Sequence, residues 1–429
     1  MGTLTLTDSS VRGDYGLLDP AARCDSPPVV ILNMFYSGLG IARELSGRGV
    51  RVVGLSADRK IYGNFTRLCE IRVAPNSQDH PEELAEFLLR PANDLWGAVI
   101  FPTRDGDVMF LDRFRSELQT KYQLAIPPAC CLRRTIDKYE LALAARDAVV
   151  PVPHTIQLRS AGELIRVRNE VGFPCVLKPV SSFQWHLGDA WERVGGRKAV
   201  RVDNWAAVRM EYDQISQVTP QVLVQEWIPG PVDQTVVLGG YVNEHSELLS
   251  YFTARKLLQS PDDCGTGCIV QSEPVHAIVE PTQRLFRGLK YRGMAEVEYK
   301  HDSRTGEYKL IEINTRHWDQ HQLGQASGVN LTWIAYCHLT GKSSPPSGGP
   351  IVHAKWIAED ALLIRLLRSI THPELRTPKL WKKLSAPRMY AIFSAKDPIP
   401  FFRYIFGVLL PELASILLIR LRNSLRSPS

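Results

Sequence analysis

Apolar residues in this chain alternate between short, nearly continuous runs, broken only by Asn33 and Arg51 in the first two, and longer stretches with helical spacing. Val29 to Met34, Val50 to Leu55 and Gly97 to Phe101 are short apolar runs. Ile41 to Ser46, Pro81 to Leu89 and the stretch after Asp105 carry the helical pattern between and after them. Strand, glycine turn (Ser37-Gly38-Leu39-Gly40), helix and strand in that order predict right-handed βαβ units of an open parallel sheet. The Gly-x-Gly lacks the third glycine of a dinucleotide fingerprint, so a tight turn or a substrate-side loop is the better reading. Thr103, Arg104 and Asp105 fall just past a strand's carboxyl end, where such sheets place ligands.

A second region opens near Pro127-Pro128. Asp137 starts a helix to about Asp147, Val150-Pro-Val-Pro153 stops it, and Ser160 is expected to cap another helix running to Glu170. Strands are predicted at Phe173–Pro179, Lys198–Val202, Gln221–Ile228, Thr235–Tyr241 and Leu248–Lys256. Helices are predicted over Trp205–Ile215, Glu280–Lys290, Gln320–Ala326 and Leu331–Leu339. Between the first two of those strands, residues 181–197 show no period and read as a flap. Gly293 to Arg316 reads as two strands joined at Asp302-Ser-Arg-Thr-Gly306, with Gly306 taking the positive φ of the turn.

Side chains alternate across a strand, so Glu312 and Asn314 share a face, as do Glu296 and Glu298 on the partner. If Lys300 pairs with Leu310, Glu298 lies opposite Glu312. Two facing carboxylates repel unless a cation lies between them. Carboxylate and amide oxygens are hard ligands suited to Mg²⁺, which also takes phosphate oxygens from a nucleotide. Arg316, two residues on, is placed to hold a phosphate. The competing reading is a solvated hairpin with ordinary surface glutamates. Lys178, amid apolar neighbours in VLKP, needs an anion, because an unpaired buried ammonium is costly. The extended segment QEWIPG sets backbone groups beside Trp227 and Ile228, a suitable bed for a flat adenine ring.

Charge changes the picture at one end. The net charge is +6, and from Ala354 onward thirteen basic residues face five acidic ones. The remainder is therefore slightly acidic, which argues against a nucleic-acid-binding body and for an anionic partner at the tail. The eight cysteines form no paired framework, as expected of thiols in a reducing compartment. MGTLTLTDSSVRGDYG has no basic-then-apolar secretion signature, so a cytoplasmic location is expected.

Taken together, the motifs from about Pro127 to Gly341 resemble the ATP-grasp superfamily, and look closest to its carboxylate–amine ligases of the D-aspartate ligase-like branch. The α/β unit before them resembles the pre-ATP-grasp domain. The resemblance implies an α/β chain in four parts. These are a tail (1–27), a parallel-sheet pre-ATP-grasp domain (28–126), an ATP-grasp domain of two α+β subdomains gripping ATP (127–342), and a basic, apolar helical extension (343–429). It implies that Lys138 and Lys178 hold nucleotide phosphates. Glu226 would lie near the adenine amino group, Ile228 would supply a hinge amide, with Trp227 beside it, and Asp233 would bind ribose. Arg255 and Arg316 would act on the transferred phosphoryl group, and Glu298, Glu312 and Asn314 would bind Mg²⁺, with Mn²⁺ as a substitute. The implied activity joins a small-molecule carboxylate to an amine through an acyl phosphate. A non-catalytic nucleotide-binding partner protein, and a carboxylase or phosphotransferase on the same fold, stay open beside it. The long Trp-rich segment SSFQWHLGDAWERVGGRKA departs from the family's short Gly/Ser-rich flap. His317, Trp318 and His321 read as packing or substrate contact rather than as a metal cluster.

Beyond the linker SSPPSGGP, Trp356–Ile370 is expected to be helical and Lys396–Pro400 extended. FFRYIFGVLLPELASILLIRLRNSLR is strongly apolar, but Pro411 and Glu412 interrupt it. A helix in the plane of the inner membrane face, through residues 401–426, is better supported than a spanning one. Docking on the protein itself or in a homodimer is the alternative.

Overall fold

The computed structural model describes residues 26–181, 185, 190–261, 265–343, 352–371, 377, 380–385 and 387–411. Most of the N-terminal tail, parts of the flap, Cys264, most of the linker and the sequence beyond Pro411 lie outside the described residues. Three sheets carry the structure. In the first, β1 (Val29–Leu32), β2 (Val52–Ser56), β3 (Glu70–Val73), β4 (Val99–Phe101) and β5 (Gln123–Leu124) run parallel in the order β3-β2-β1-β4-β5. β1, β2 and β4 are buried throughout because helices cover both faces. The glycine turn leads into the helix Tyr36–Leu45, where a Cβ on Gly38 would lie 2.1 Å from the Asn33 carbonyl oxygen. Only glycine allows so close a crossing.

The second sheet is antiparallel, with β6 (Thr155–Leu158), β7 (Cys175–Pro179), β8 (Val200–Val202) and β9 (Val222–Glu226) in the order β6-β9-β7-β8. The third comprises β10 (Thr235–Val242), β11 (Leu248–Ser260), β12 (Thr266–Ser272), β13 (Gly293–Asp302), β14 (Glu307–Asn314), β15 (Lys355–Ile357) and β16 (Arg388–Tyr390). Its order is β14-β13-β10-β11-β12-β15-β16, antiparallel except for the β15–β16 pair. One of its faces packs on the helix Val279–Leu289 through Val236, Leu285, Phe286 and Tyr299. Among the described residues no helix is long and apolar enough to cross a membrane.

Several expectations are corrected. Ser160 makes no side-chain cap; the Glu163 carboxylate takes the Arg159 amide at 2.8 Å instead, and only a 3-10 turn (Ala161–Glu163) and a π turn (Val167–Val171) form. Ala129–Ile136 is an additional helix, and His321–Ser327 is 3-10 rather than α. Trp356 lies in β15, buried and paired with Val270, so the helix starts only at Glu359. Lys396–Pro400 turns into a helix at Ile399, whose Pro400 suits a first turn with no partner for its nitrogen.

The β13–β14 hairpin differs in one detail from expectation. Lys300 faces Lys309 and Tyr299 faces Leu310, and a bulge between Glu298 and Tyr299 then brings Glu298 opposite Glu312. Gly306 has φ 74° and donates to the Asp302 carbonyl at 2.8 Å. The Asp302 carboxylate accepts from Arg304 and, at 2.9 Å, pairs with Lys309. The Arg304 hydrogen bond, aided by Lys309, holds it well below the usual carboxylate range. Because the folded pKa is depressed, this stabilisation is present above the unfolded pKa of about 4 and lost as pH falls below it. Asp302→Asn is expected to destabilise the protein by about 1–3 kcal/mol at neutral pH and to flatten the acid limb of its stability profile, checked by thermal melts across pH.

Candidate active site

The face of the third sheet away from the helix Val279–Leu289 gathers the charged groups. Glu296 pairs with Asn314 and Glu298 with Glu312, so all four side chains stand on one face. Asn314 Nδ2 donates to Glu296 Oε2 at 2.9 Å. Two strands away, β11 contributes Lys256, whose ammonium donates to Glu298 Oε2. Burial alone would lower the Lys256 pKa, but Glu298 and Glu296 bring it above its ordinary value. Burial pushes the Glu296 carboxyl up to about 7 against the pull of Lys256 and the Asn314 hydrogen bond.

Lysines approach from the other elements. Lys138 opens the helix Lys138–Asp147, which Asp137 caps by accepting from the Tyr139 and Glu140 amides. The Lys138 amide bonds the Val180 carbonyl at 2.9 Å, tying this helix start to the end of β7. Lys138 Nζ lies 3.9 Å from Glu312 Oε2. Lys178, buried on β7, donates to Gln225 Oε1 at 2.7 Å, and Gln225 is itself held by Thr155. Lys198 bonds Thr266 Oγ1 at 2.7 Å, joining the segment after the flap to β12. Burial raises the Glu312 carboxyl, yet Lys138, Lys256, Lys178 and Lys198 together bring it below its usual value.

Arg316 reaches back to the first sheet. Its Nε lies 2.6 Å from Asp105 Oδ1, at the start of the helix Asp105–Arg113. Burial raises the Asp105 carboxyl and Arg316 more than reverses this, while Lys138 and Lys198 add to it. Of the three residues read past that strand, Asp105 alone joins the cluster. Thr103 bonds the Leu32 carbonyl at 2.6 Å, and Arg104 bonds Asp107 at 2.8 Å. Beside them, at the carboxyl ends of β1 and β2, opens a cavity of ≈ 190 Å³ lined by Asn33, Ala57, Asn76, Ser77 and Arg104.

Two expected roles do not fit these side-chain positions. Arg255 stands on the opposite face of β11 from Lys256, because alternation sends neighbours to opposite sides. There it pairs with Glu273 at 2.6 Å and bonds the Asp233 carbonyl at 2.5 Å, which gives Asp233 a place beside the same arginine. Glu226 is also committed elsewhere. Its carboxylate accepts the His154 amide at 3.1 Å, pairs with Lys309 at 3.2 Å and meets Arg304. These contacts fasten the end of β9 to the β13–β14 hairpin. Trp227, half-buried, lies between Arg201 (4.9 Å) and Lys300 (5.9 Å), and Ile228 is buried.

His317 and His321 pack rather than converge on a site. His317 Nε2 is 2.9 Å from Thr332 Oγ1, which bonds Glu44, and His321 Nε2 is 3.4 Å from Glu44 Oε2. Sequence reasoning missed Lys256 as a member of the cluster, placed Asp105 only beside a ligand pocket and left Glu296 out of the ligand set. Their only signals were strand alternation and a strand's carboxyl end.

Among the described residues no three His, Cys, Asp or Glu side chains form a metal-binding group on their own. Two facing carboxylates and a neighbouring amide still fit Mg²⁺, which keeps several waters and takes phosphate oxygens rather than a full protein cage. Five cationic side chains around four carboxylates, Asp105 included, leave the cluster short of negative charge, a balance that suits a polyphosphate.

A family model described as carbamoyl-phosphate synthase L chain, ATP binding domain, matches residues 267–337. The D-aspartate ligase of Enterococcus faecium (strain Aus0004) is 24% identical over 321 residues, which cover 70% of this chain and 74% of that protein. The D-alanine–D-alanine ligase of Ectopseudomonas mendocina (strain ymp) is 27% identical over 173 residues, 39% of this chain and half of that protein. Among solved structures, N5-carboxyaminoimidazole synthetase from Staphylococcus aureus complexed with ADP superimposes with a TM-score of 0.60 at 15% identity, covering 81% of this chain and 87% of that one.

Proposed function

We propose that this ATP-grasp ligase activates a small-molecule carboxylate with ATP and passes the acyl group to an amine. The observation that carries this is the convergence of Glu296, Glu298, Glu312 and Asn314 with Lys138, Lys178, Lys198, Lys256 and Arg316. The likeness to D-aspartate and D-alanine–D-alanine ligases supports a carboxylate and an amine as reactants.

A carboxylate is a poor acyl donor because its oxygen leaves as oxide. In the proposed sequence a carboxylate oxygen attacks the γ-phosphorus of ATP and ADP departs. The amine nitrogen then attacks the acyl carbon, the phosphate leaves, and the amide forms as the nitrogen loses its proton. Mg²⁺, when bound, would neutralise negative charge developing on the phosphates. Glu298, Glu312 and Asn314 would hold it. Lys138 and Lys178 would bind nucleotide phosphates, and Lys256 and Arg316 would face the transferred group. The end of β9, with Trp227 and Ile228, would carry the adenine. Asp105 would orient Arg316 from the first sheet, beside the cavity left for a substrate. Water must be kept out, or the acyl phosphate hydrolyses.

The test is phosphate release from Mg·ATP, screened over amino acids of both chiralities singly and in pairs. Stimulation is expected only when a carboxylate donor and an amine are both present. Stimulation by bicarbonate, or by a single acceptor without an amine, would replace the ligase by a carboxylase or phosphotransferase. No stimulation by any pair would leave a nucleotide-binding partner protein.

A further inference from the structure

The helix Ile399–Tyr404 continues as a π turn over Ile405–Leu409. It is firmly docked. The Asp397 carboxylate, buried just before it, accepts from Thr66 Oγ1 at 2.6 Å and from the Arg67 amide at 3.2 Å. Tyr404 packs edge-on against Tyr62 at 5.8 Å, and Leu409 is buried in the same core.

The opposite side should then be polar. Instead Phe402 is 53% exposed, Phe406 66% and Leu410 46%. Spaced four apart, they form one stripe. Phe393, also exposed, extends it through ring contacts with Phe401 (5.3 Å), which in turn touches Phe402 (5.9 Å). A helix that is apolar all round is ordinarily covered by something. Among its exposed residues only Arg403 is charged, and its guanidinium lies 4.2 Å from the centre of the Phe65 ring.

Charge selects the occupant. This segment belongs to the part of the sequence where thirteen basic residues face five acidic ones. A symmetric contact between two copies would set the same basic region against itself. An anionic bilayer surface attracts it instead, and accepts aromatic side chains at the headgroup boundary. Past Pro411 and the single acidic residue Glu412, the sequence LASILLIRLR repeats the same chemistry of apolar residues with arginines. We propose that the outer face formed by Phe402, Phe406 and Leu410, with Phe393 beside it, seats on the interfacial layer of an anionic membrane. This proposal does not depend on the ligase reaction.

The experiment is flotation of the full chain with vesicles of phosphatidylcholine alone or mixed with phosphatidylglycerol. Association with the mixed vesicles is expected, with weaker association at high salt because screening shortens the reach of the charges. F402S/F406S is expected to lower partitioning at least about 10-fold, since two rings lose their apolar burial. Both positions are exposed, so the variant should melt as the parent does; the single variant Phe406→Asp is the second probe should it not. Failure of the parent to float with the mixed vesicles overturns the proposal, as does a correctly folded variant that floats equally well. Sedimentation that shows a concentration-dependent dimer, lost in the double variant with no vesicle binding, would assign the face to a second copy and also overturn it.

Discussion

Replacing Glu312 by Gln is expected to lower ATP turnover by about 100-fold or more, the scale seen when one preorganised charged or hydrogen-bonding group is removed from a transition state. Gln keeps the size of the side chain and its place opposite Glu298. It removes the charge that four lysines surround. Lys138, 3.9 Å away, loses an opposite charge, and so does any cation placed between the facing carboxylates. The fold should be retained, because Glu312 is only half-buried and Gln fills the same place, at the modest cost of the attraction from the lysines that hold its carboxyl below the usual value. Unchanged turnover in a variant with an unchanged melting temperature would remove Glu312 from the metal site. A low rate restored by more Mg²⁺ would locate the defect in metal affinity.

Lys256→Met is the second large effect, and Arg255→Met its control. Lys256 is buried and bonded to Glu298, on the face that holds the carboxylates and Asn314. Arg255 is adjacent in sequence but faces Glu273 and the Asp233 carbonyl. Lys256→Met should lower turnover by about 100-fold or more. Arg255→Met should lower it less than about 5-fold, the modest cost of a partly exposed ion pair. Leaving Glu298 without its partner also costs stability, about 3–5 kcal/mol for a broken buried pair. Turnover is therefore compared at a temperature where both variants remain folded by circular dichroism. If Arg255→Met is the more damaging of the two, the assignment by strand face is wrong.

The β13–β14 hairpin was legible because its signals are local. Turn residues at 302–306 and strict alternation through Glu296, Glu298, Glu312 and Asn314 put the right side chains on one face. The bulge after Glu298 was not legible, since an extra residue in a strand has no signature of its own. The pairing assumed for Lys300 was one residue out, and the bulge restored the carboxylate alignment. Arg255 and Lys256 could not be separated from sequence, because apolar residues lie on both sides of that strand and its phase depends on β10 and β12. Glu226 illustrates a further limit. Its partners Arg304 and Lys309 lie far along the chain, so its commitment to the hairpin emerges only in three dimensions. Val29–Leu32 and Pro81–Leu89 were readable from apolar pattern and the helix-starting proline, whereas three residues around Trp356 are too few to show a strand period.

The most direct measurement is a crystal structure with a non-hydrolysable ATP analogue and Mn²⁺, whose anomalous signal locates the metal without reference to the protein. The metal peak should fall between the Glu298 and Glu312 carboxylates, with Lys138 and Lys178 reaching the phosphates. A metal and triphosphate bound away from these side chains would contradict the account.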